Sequence, residues 1–298
     1  MREKPLDRGR LILYKNEEGI ETHAVWRIME YVEKLFSLKK KTAVITGGGG
    51  VLAGSIAESL LGAGASVSLW GRGEASLKKA RQRLSKKNGK ALVHTFVVDT
   101  SDEKGVSEAY AVTERELGSP RILINGVGGN LGKSSFVEAD VELFESVLKL
   151  NLVAGLLVPT KIFARRWMDS GEGGCIINIA SMSSYIPLSG VWGYDAAKAG
   201  VLNLTMGCAK EFAPHKIRVN AIAPGFFLGK QNRHLLVDDR TGSLTERGEA
   251  VVSHTPFGRF GKPEELAGAV LFLASEKASG FVTGITIPVD GGYLVQNI

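Results

Sequence analysis

The sequence predicts an α/β fold in which one doubly wound parallel sheet of about seven strands carries helices on both faces. Three observations predict it. From residue 41 onward, short apolar strands alternate with amphipathic helices, and such βαβ units pair their strands in parallel. A glycine-rich turn, Gly47–Gly50, separates the first strand from the first helix. An apolar run that ends at Ala180 precedes a helix carrying Tyr194 and Lys198.

The strands are predicted from apolar, β-branched segments bounded by glycine or polar residues. They are Thr42–Thr46, Val67–Trp70, Leu92–Val98, Ile122–Ile124, Cys175–Ala180, Arg218–Ile222 and Ile285–Val289.

The helices are predicted from helical periodicity and from glycine or proline at their ends. They are an Ala/Leu helix ending near Leu61, then Glu74–Lys87, Glu103–Leu117, a long pattern over Val137–Met168, the Tyr194 helix and Pro263–Ala274. Pro159 lies inside the long pattern and predicts a kink or an interruption, because proline lacks the N–H that a helix interior needs.

Composition limits the possible functions. The 298 residues are 44% hydrophobic with a net charge of +6, which is ordinary for a globular protein with a sizeable core. We expect no nucleic-acid partner, because no basic stripe is interleaved with aromatic residues. We expect no membrane span and no metal site, because no apolar run is long enough and no cluster has ligand spacing. Without a signal-peptide pattern, a cytoplasmic enzyme is the expectation, with Cys175 and Cys208 as buried thiols.

Residues 1–35 form a polar, irregular N-terminal extension for which two interpretations stay open. The segment is either an arm that packs on a neighbouring subunit or an over-long start with Met29 as the true initiator. Residues 36–298 are predicted to form the α/β domain, with a substrate-loop segment at about 226–256.

Tyr194 and Lys198 are four residues apart, so a helix places both side chains on one face. A phenol is a weak acid at neutral pH, and a neighbouring ammonium lowers its pKa toward the range of general acid–base catalysis. Ser181 follows the preceding strand and offers a hydroxyl to a substrate carbonyl or alcohol. The alternative for the pair is a lysine stem that covers a half-buried tyrosine. Ser181 and the glycine-rich turn favour the catalytic interpretation.

The glycine-rich turn has the position and composition of a pyrophosphate site. Glycines let the backbone approach the phosphates, and the helix N-terminus favours their negative charge. Gly48, Gly50 and Ala53 fit the spacing Gly-x-Gly-x-x-Ala. The alternative is a purely structural turn.

The end of the second strand bears on the choice of dinucleotide. Gly71 stands where an acidic residue selects NAD, and Arg72 follows it. A small residue with an arginine accommodates a 2′-phosphate. We therefore expect NADP(H), slightly favoured over NAD(H).

The ordered set of these motifs resembles the short-chain dehydrogenase/reductase family from Phe36 to about Tyr293. The resemblance implies a Rossmann-type sheet and a nicotinamide cofactor. It also implies that Tyr194 transfers a proton, that Ser181 polarises the carbonyl and that Lys198 holds the nicotinamide ribose. Asn151 matches the helix residue that holds a relay water, so the implied catalytic set is Ser181, Tyr194, Lys198 and Asn151.

Other positions imply cofactor contacts. Asp99 matches the residue that hydrogen-bonds the adenine, and Asn125-Gly-Val-Gly128 stands in for a stretch that stabilises the sheet and lies along the cofactor. Val51 and Ala53 depart from the glycines that the family usually carries in its turn. The full expected cofactor set is Gly47, Gly48, Gly50, Leu52, Arg72, Asp99, Asn125, Gly126, Tyr194, Lys198, Pro224 and Gly225.

The C-terminal third is similar to the D-mannonate oxidoreductase (fructuronate reductase) group of that family. The similarity rests on runs such as Phe226-Phe-Leu, Gln231-Asn-Arg233 and Gly242-Ser-Leu-Thr-Glu-Arg247. It implies interconversion of D-fructuronate and D-mannonate. Alternatives are another sugar acid or polyol, such as gluconate at C5, and a cofactor-binding sensor without turnover. Two departures, Gly229 in place of a threonine and a short loop after Asn130, concern the substrate.

A sugar acid needs a cation with fork geometry and amide hydrogen-bonding groups. Residues 230–233 supply both after the sixth strand, at the carboxyl edge where ligands bind. We expect substrate contacts from Ser181, Gln231, Arg233 and Asn130, with His254 and Arg259 as weaker candidates. The family usually assembles as tetramers, so the resemblance also implies a homotetramer.

Overall fold

Apolar and β-branched residues form the seven strands of one parallel sheet. The strands are β1 (Thr42–Thr46), β2 (Ser66–Gly71), β3 (Val93–Val97), β4 (Pro120–Asn125), β5 (Gly174–Ile179), β6 (Ile217–Pro224) and β7 (Thr286–Val289). Their order is β3-β2-β1-β4-β5-β6-β7, and every neighbouring pair is parallel. The predicted fold class is confirmed.

The computed structural model describes residues 30–88, 93–188, 190–229 and 233–296. The chain divides into two compact units, Met1–Leu35 and Phe36–Ile298. Of the first unit only residues 30–35 are described, and they are helical. The two interpretations of the N-terminal segment therefore stay predictions.

The helices of the second unit alternate with the strands. They are α1 (Val51–Gly62), α2 (Glu74–Asn88), α3 (Glu103–Leu117), α4 (Val141–Leu148), α5 (Val158–Ser170), α6 (Trp192–Phe212), α7 (Arg233–Leu236), α8 (Glu246–His254), α9 (Ala267–Ala274) and α10 (Glu276–Ser279). Among the described helices, none combines the length and apolar character needed to cross a membrane.

Two apolar layers enclose the sheet because successive strand residues point to opposite faces. On one face Ala43 and Ile45 of β1 join a buried cluster with α1, α2 and α9. On the other face Val44 joins a cluster with α3, α5 and α6. Burial on both faces explains why the strands are continuously apolar.

The segment Val137–Met168, predicted as one long helical pattern, forms two α-helices in the structure. The helix begins only after Asp140, whose side chain accepts a hydrogen bond from the Leu143 N–H at 2.9 Å. A π-helical segment, Lys149–Leu157, then separates α4 from α5. Pro159 lies in the first turn of α5. A proline is tolerated there because the N–H groups of a first turn take no part in the α-helical hydrogen bonds. The interruption predicted at Pro159 therefore takes the form of a π-helical segment.

The segment Pro263–Ala274 also differs from the prediction of a single helix. Pro263–Leu266 is a 3₁₀ turn, and α9 begins only at Ala267. Short 3₁₀ turns are common at helix N-termini.

The strand order places the candidate site. The crossovers run one way from β1 to β3 and the other way from β4 onward, so the order reverses between β1 and β4. In open parallel sheets the crevice at the carboxyl ends of such strands is where ligands bind. The glycine-rich turn after β1 and the Asn125-Gly126 stretch after β4 both lie there.

Candidate active site

Tyr194 and Lys198 lie on the first two turns of α6, on one face of the helix. The Lys198 ammonium nitrogen is 5.7 Å from the centroid of the Tyr194 ring. Lys198 is only 4% exposed, and its Nζ donates a hydrogen bond to the Ile179 carbonyl at 2.7 Å. The lysine is thus fixed between α6 and the end of β5 instead of reaching toward solvent, which disfavours the snorkelling alternative.

Ser181 faces Tyr194 from the loop after β5. Its backbone is extended (φ −160°, ψ 160°), its side chain is buried, and its hydroxyl lies near enough to the Tyr194 phenol to act on that group's pKa, in the lowering direction. Its Oγ also accepts from the Ser183 N–H at 3.1 Å. The Ser184 hydroxyl donates to the Lys198 carbonyl at 2.7 Å. These bonds fasten the loop after β5 to the helix that carries Tyr194.

Asn151 lies in the π-helical segment and is 1% exposed. Its Nδ2 donates to the carbonyls of Val147 (2.9 Å) and Gly129 (2.7 Å), and its Oδ1 accepts from the Gly129 N–H at 3.0 Å. A Cβ on Gly128 would lie 2.6 Å from Asn151 Oδ1 and 3.2 Å from Lys198 Nζ. The structure therefore brings Asn151 and Lys198 together around the glycine stretch after β4.

Burial controls the acid–base properties of the Tyr–Lys pair. It lowers the pKa of Lys198 to about 8, because the ammonium loses solvation. It also raises the pKa of Tyr194, against the opposing effect of the Ser181 hydrogen bond. The sequence predicts that Lys198 lowers the pKa of Tyr194; in the structure burial acts in the opposite direction and is the largest effect on the phenol.

The turn after β1 fits an anionic phosphate group. Gly47 adopts φ +68°, and a Cβ there would lie 2.7 Å from the Gly126 carbonyl oxygen. A Cβ on Gly48 would lie 2.6 Å from the Leu69 Cβ, so the turn packs directly on β2. Gly50 caps α1 without a side-chain hydrogen bond, and the first turn of α1 holds no acidic residue. The Gly48 and Gly50 N–H groups donate to the carbonyls of Trp70 and Gly47, both at 2.9 Å. An anion at this turn would therefore be bound by the N–H groups of the first turn of α1, which no side chain caps.

The stretch after β4 links the turn to the sheet. The Gly126 N–H donates to Thr46 Oγ1 at 3.0 Å. Asn125 Nδ2 donates to Asn178 Oδ1 at 2.8 Å and to Thr160 Oγ1 at 2.9 Å. Asn125 therefore joins β4, β5 and α5 and stabilises the middle of the sheet. Its Oδ1 is buried and has no hydrogen-bond partner among the described residues.

A family model described as enoyl-(acyl carrier protein) reductase matches residues 50–294. An uncharacterized oxidoreductase of Bacillus subtilis (strain 168) is 39% identical over 275 residues, covering 88% of this chain and 97% of its own. The chain belongs to the short-chain dehydrogenase/reductase family. It is accordingly an oxidoreductase, and the predicted family and enzyme class are confirmed.

Two further relatives carry more specific names. Gluconate 5-dehydrogenase of Gluconobacter oxydans (strain 621H) is 34% identical over 262 residues, covering 88% of this chain and 98% of its own. A provisionally named D-mannonate oxidoreductase from Haemophilus influenzae, solved with bound NAD, is 34% identical. It aligns with a TM-score of 0.82 and covers 89% of this chain and 99% of its own.

The remaining cofactor candidates of this short-chain dehydrogenase/reductase lie at the same edge of the sheet. Arg72 is exposed after β2, and Asp99 Oδ1 accepts from the Ser101 N–H (2.9 Å) and hydroxyl (2.8 Å). These bonds are the main reason why the pKa of Asp99 is lowered, and Arg72 contributes. Pro224 ends β6, and the Gly225 N–H donates to the Val289 carbonyl at 2.9 Å. Leu52 packs its side chain against the core, which leaves only its backbone for a ligand.

The predicted substrate residues are less well assembled. Gln231 lies outside the described residues, as do its neighbours Lys230 and Asn232. Arg233 is 54% exposed and pairs with Asp239 at 3.5 Å. Asn130 is exposed and donates to the Gly132 carbonyl at 2.5 Å. Among the described residues, no hydrogen bond or ion pair joins Arg233 or Asn130 to Ser181, Tyr194 or Lys198.

The two weaker substrate candidates have structural partners. Arg259 forms a two-armed ion pair with Glu265 at 2.6 and 2.8 Å. His254 packs edge-on against Tyr293, with ring centroids 4.5 Å apart. Both contacts favour a structural role for these two residues over substrate binding.

Sequence reasoning missed a contact that we call the Trp192 latch, formed by Trp192, Ser134, Phe136 and Gly190. Trp192 Nε1 donates to the Ser134 carbonyl at 3.1 Å, and the Ser134 N–H donates to the Gly190 carbonyl at 3.1 Å. The Phe136 ring packs edge-on against Trp192 at 5.3 Å. The latch fastens the loop after Asn130 to the start of the catalytic helix. A tryptophan two residues before Tyr194 was the available signal.

Proposed function

We propose that this short-chain dehydrogenase/reductase interconverts a keto sugar acid and its hydroxy acid with a nicotinamide cofactor. D-fructuronate and D-mannonate are the pair that we favour. The observation that carries the proposal is the Ser181–Tyr194–Lys198 arrangement, in which Ser181 and Lys198 are buried and Tyr194 is half-buried. It stands in a chain similar, over nearly its whole α/β domain, to the Haemophilus D-mannonate oxidoreductase.

The residues at the crevice fit a dinucleotide. Gly47, Gly48 and the N-terminus of α1 would hold its pyrophosphate, and Lys198 would hold the nicotinamide ribose. When bound, the nicotinamide supplies or accepts the hydride of the reaction. The positions of Asp99, Asn125 and Gly225 at the carboxyl ends of β3, β4 and β6 are compatible with the predicted adenine and nicotinamide contacts.

For the dinucleotide we propose NADP(H), slightly favoured over NAD(H). The end of β2 presents Gly71 and an exposed Arg72, a combination with room and charge for a 2′-phosphate. The relatives differ on this point. The Haemophilus protein was solved with NAD, whereas a provisionally named 2-deoxy-D-gluconate 3-dehydrogenase from Agrobacterium tumefaciens was solved with NADP.

The proposal gives each side chain of the site a role. During reduction, Tyr194 donates its proton to the carbonyl oxygen, and Ser181 hydrogen-bonds the same oxygen and orients it. Burial keeps the phenol protonated, which suits a proton donor. Asn151 fixes a water that returns the proton. Arg233, Gln231 and Asn130 are proposed to bind the carboxylate and hydroxyls after rearrangement of their segments.

A second candidate substrate is gluconate, oxidised at C5. The relative from Gluconobacter oxydans favours it, and several 2-dehydro-3-deoxy-D-gluconate 5-dehydrogenases are 33–34% identical to this chain. The catalytic residues would act in the same way on either substrate, so the difference lies in the loops after β4 and β6.

The deciding experiment is oxidation of NADH and NADPH by the purified enzyme with D-fructuronate, D-tagaturonate and 5-keto-gluconate, each pair tested separately. Rapid turnover of D-fructuronate alone would support the favoured pair. Turnover of 5-keto-gluconate would move the enzyme to the second candidate. No turnover of any of the three would contradict the proposal of a keto hexonate or hexuronate substrate.

We also propose that the enzyme is a homotetramer in the cytoplasm. Large apolar side chains remain exposed on α6 and in the segment before β7, including Met206 (49%) and Phe281 (fully exposed), and exposed apolar surface of this kind supports an interface with other subunits. Light scattering on the purified enzyme measures the mass, and a monomer at micromolar concentration would contradict this assembly.

A further inference from the structure

Asp195 is a buried acidic residue that the proposed mechanism does not use. It follows Tyr194 directly, in the first turn of α6, and is only 9% exposed. Its Oδ2 accepts a hydrogen bond from the Leu188 N–H at 3.1 Å. Its Oδ1 is buried and has no hydrogen-bond partner among the described residues. A carboxylate is costly to bury unless its oxygens are well paired, so the burial of Asp195 calls for an explanation.

The second neighbour of Asp195 is Ser183, which is 4% exposed. The Ser183 hydroxyl also has no partner of hydrogen-bond geometry among the described residues, yet it is near enough to lower the pKa of the carboxyl. The Ser183 N–H binds Ser181 Oγ. Asp195 therefore contacts both ends of the segment 183–188, which links Ser181 to the helix of Tyr194.

One ordinary role does not account for this arrangement. An acidic residue in the first turn of a helix stabilises the helix dipole, but it does so from an exposed position. Burial is not needed to stabilise the helix dipole, and it adds the cost of desolvating the carboxylate. It does, however, place a buried charge on the residue that directly follows Tyr194, whose proton has to move.

We propose that Asp195 is a positioning residue of the reaction: its carboxylate holds the segment 183–188, and its charge acts on the phenol that transfers the proton. This inference rests on the proposed role of Tyr194. It is independent of which sugar acid the enzyme converts.

The electrostatics agree in direction with the geometry. Burial is the largest cause of the raised pKa of Tyr194, the Ser181 hydrogen bond opposes it, and the Asp195 charge adds to it. The carboxyl of Asp195 itself has a pKa raised by burial and lowered by the Leu188 N–H and the Ser183 hydroxyl. Among the described residues, the charged groups near the phenol are both on its own helix: Asp195, which acts on it through its charge, and Lys198, whose Nζ lies 5.7 Å from the ring centroid. The Ser181 hydroxyl acts on it from the loop after β5.

The sign of the effect follows. A negative charge beside a phenol disfavours the phenolate, so removing the charge lowers the pKa of Tyr194. In the oxidation direction the phenolate is the base, and activity rises with pH as Tyr194 ionises. Asp195→Asn keeps the shape and removes the charge, so the acid limb of its pH–rate profile is expected at lower pH than in the wild type. Asp195→Glu keeps the charge, so the acid limb of its pH–rate profile is expected at the wild-type pH. Its longer side chain shifts the segment 183–188, so its KM is expected to rise several-fold.

A matched control is Asp169→Asn. Asp169 is exposed in the last turn of α5, at the opposite edge of the sheet, and its replacement changes the net charge equally. Its profile is expected to coincide with that of the wild type. Superimposable limbs for the wild type and Asp195→Asn would overturn the proposal.

A second readout needs no substrate. Tyrosinate absorbance is titrated in the wild type and in Asp195→Asn, each measured against the same chain carrying Tyr194→Phe, so that the difference isolates one of the six tyrosines. Ionisation of Tyr194 at lower pH in the Asn variant supports the proposal, and ionisation at the same pH overturns it. This result stands even if no sugar acid is turned over. If the Asn variant does not fold, Asp195→Ser keeps an acceptor for the Leu188 N–H and carries the same expectation.

Discussion

At the scale of single residues, burial decides how the central tyrosine and lysine titrate. Both side chains lose solvation, which disfavours the charged form of each: the phenolate of Tyr194 and the ammonium of Lys198. A protonated phenol held by Ser181 is suited to donate a proton to a carbonyl oxygen. A lysine with a pKa of about 8 is poised near neutral pH and is held by the Ile179 carbonyl.

Replacing Tyr194 by phenylalanine tests the proton donor. The change removes one oxygen and leaves the ring that packs beside Lys198, so we expect turnover to fall by roughly 10²- to 10⁴-fold while cofactor binding is retained. Steady-state kinetics and fluorescence titration with NAD(P)H measure the two quantities. Activity above a few per cent of the wild-type level would contradict the assignment.

Replacing Lys198 by methionine tests its buried charge through stability. The unfolded state keeps its proton up to a pKa near 10.5, whereas the folded state loses it near 8. The unfolded state thus binds more protons in that window, so the free energy of unfolding rises with pH between the two values, by about 1.4 kcal/mol for each unit of pKa difference. We expect Lys198→Met to remove this rise.

Urea denaturation at a series of pH values measures that effect. Lys210→Met is the matched control, since Lys210 is exposed in the last turn of the same helix. Its pH dependence is expected to match the wild type. Equal slopes for wild type and Lys198→Met would show that the ammonium is not desolvated.

At the scale of elements, the site depends on close packing between the glycine stretch after β4 and the π-helical segment. The π-helical turn presents the Asn151 amide to the backbone of Gly129. Gly128 leaves room for this contact, because any side chain would collide with Asn151 and Lys198.

Gly128→Ala is expected to displace Asn151 and lower turnover at least tenfold, because the added Cβ would lie 2.6 Å from Asn151 Oδ1. Kinetics and thermal unfolding measure the effect. Gly207→Ala is the control, since no atom lies within 4 Å of its added Cβ and the residue is inside α6; that change is expected to leave activity intact and to stabilise by up to about 1 kcal/mol. Normal kinetics in Gly128→Ala would contradict the role of this packing.

The Trp192 latch gives a graded test of loop placement. Trp192→Phe retains an aromatic ring opposite Phe136 but loses the bond to the Ser134 carbonyl, so we expect a loss of about 1 kcal/mol in stability and a modest rise in the substrate KM. Trp192→Ala removes both contacts and is expected to raise KM further, with cofactor affinity unchanged. Equal KM values in all three proteins would exclude a role for the latch in substrate binding.

At the scale of the whole molecule, the sheet order brings together segments that are far apart in the chain. The turn after β1, the end of β2 and the stretch after β4 meet because β1 lies between β2 and β4. The proposed preference between dinucleotides rests on Gly71 at the end of β2. A Cβ added there would approach nothing closer than the Leu77 Cδ2 at 3.8 Å, so a larger residue has room.

Gly71→Asp is expected to shift the preference from NADPH toward NADH. The carboxylate would accept from a ribose 2′-hydroxyl and repel a 2′-phosphate, so the ratio of kcat/KM for the two cofactors should change by at least tenfold. An unchanged ratio would locate the selectivity elsewhere. Thermal shifts with each cofactor provide a check that does not depend on the substrate.

The sequence by itself determined the fold class and the order of strands and helices, and it supplied the proposed catalytic set Ser181, Tyr194, Lys198 and Asn151. These follow from local periodicity, from glycine and proline at element ends, and from short motifs whose spacing has a direct geometric meaning. Only the tertiary structure decided the π-helical segment, the Trp192 latch and the partner of Arg233, because these depend on contacts between distant segments. It also decided that burial, and not the lysine charge, dominates the pKa of Tyr194, since desolvation depends on everything packed around a group.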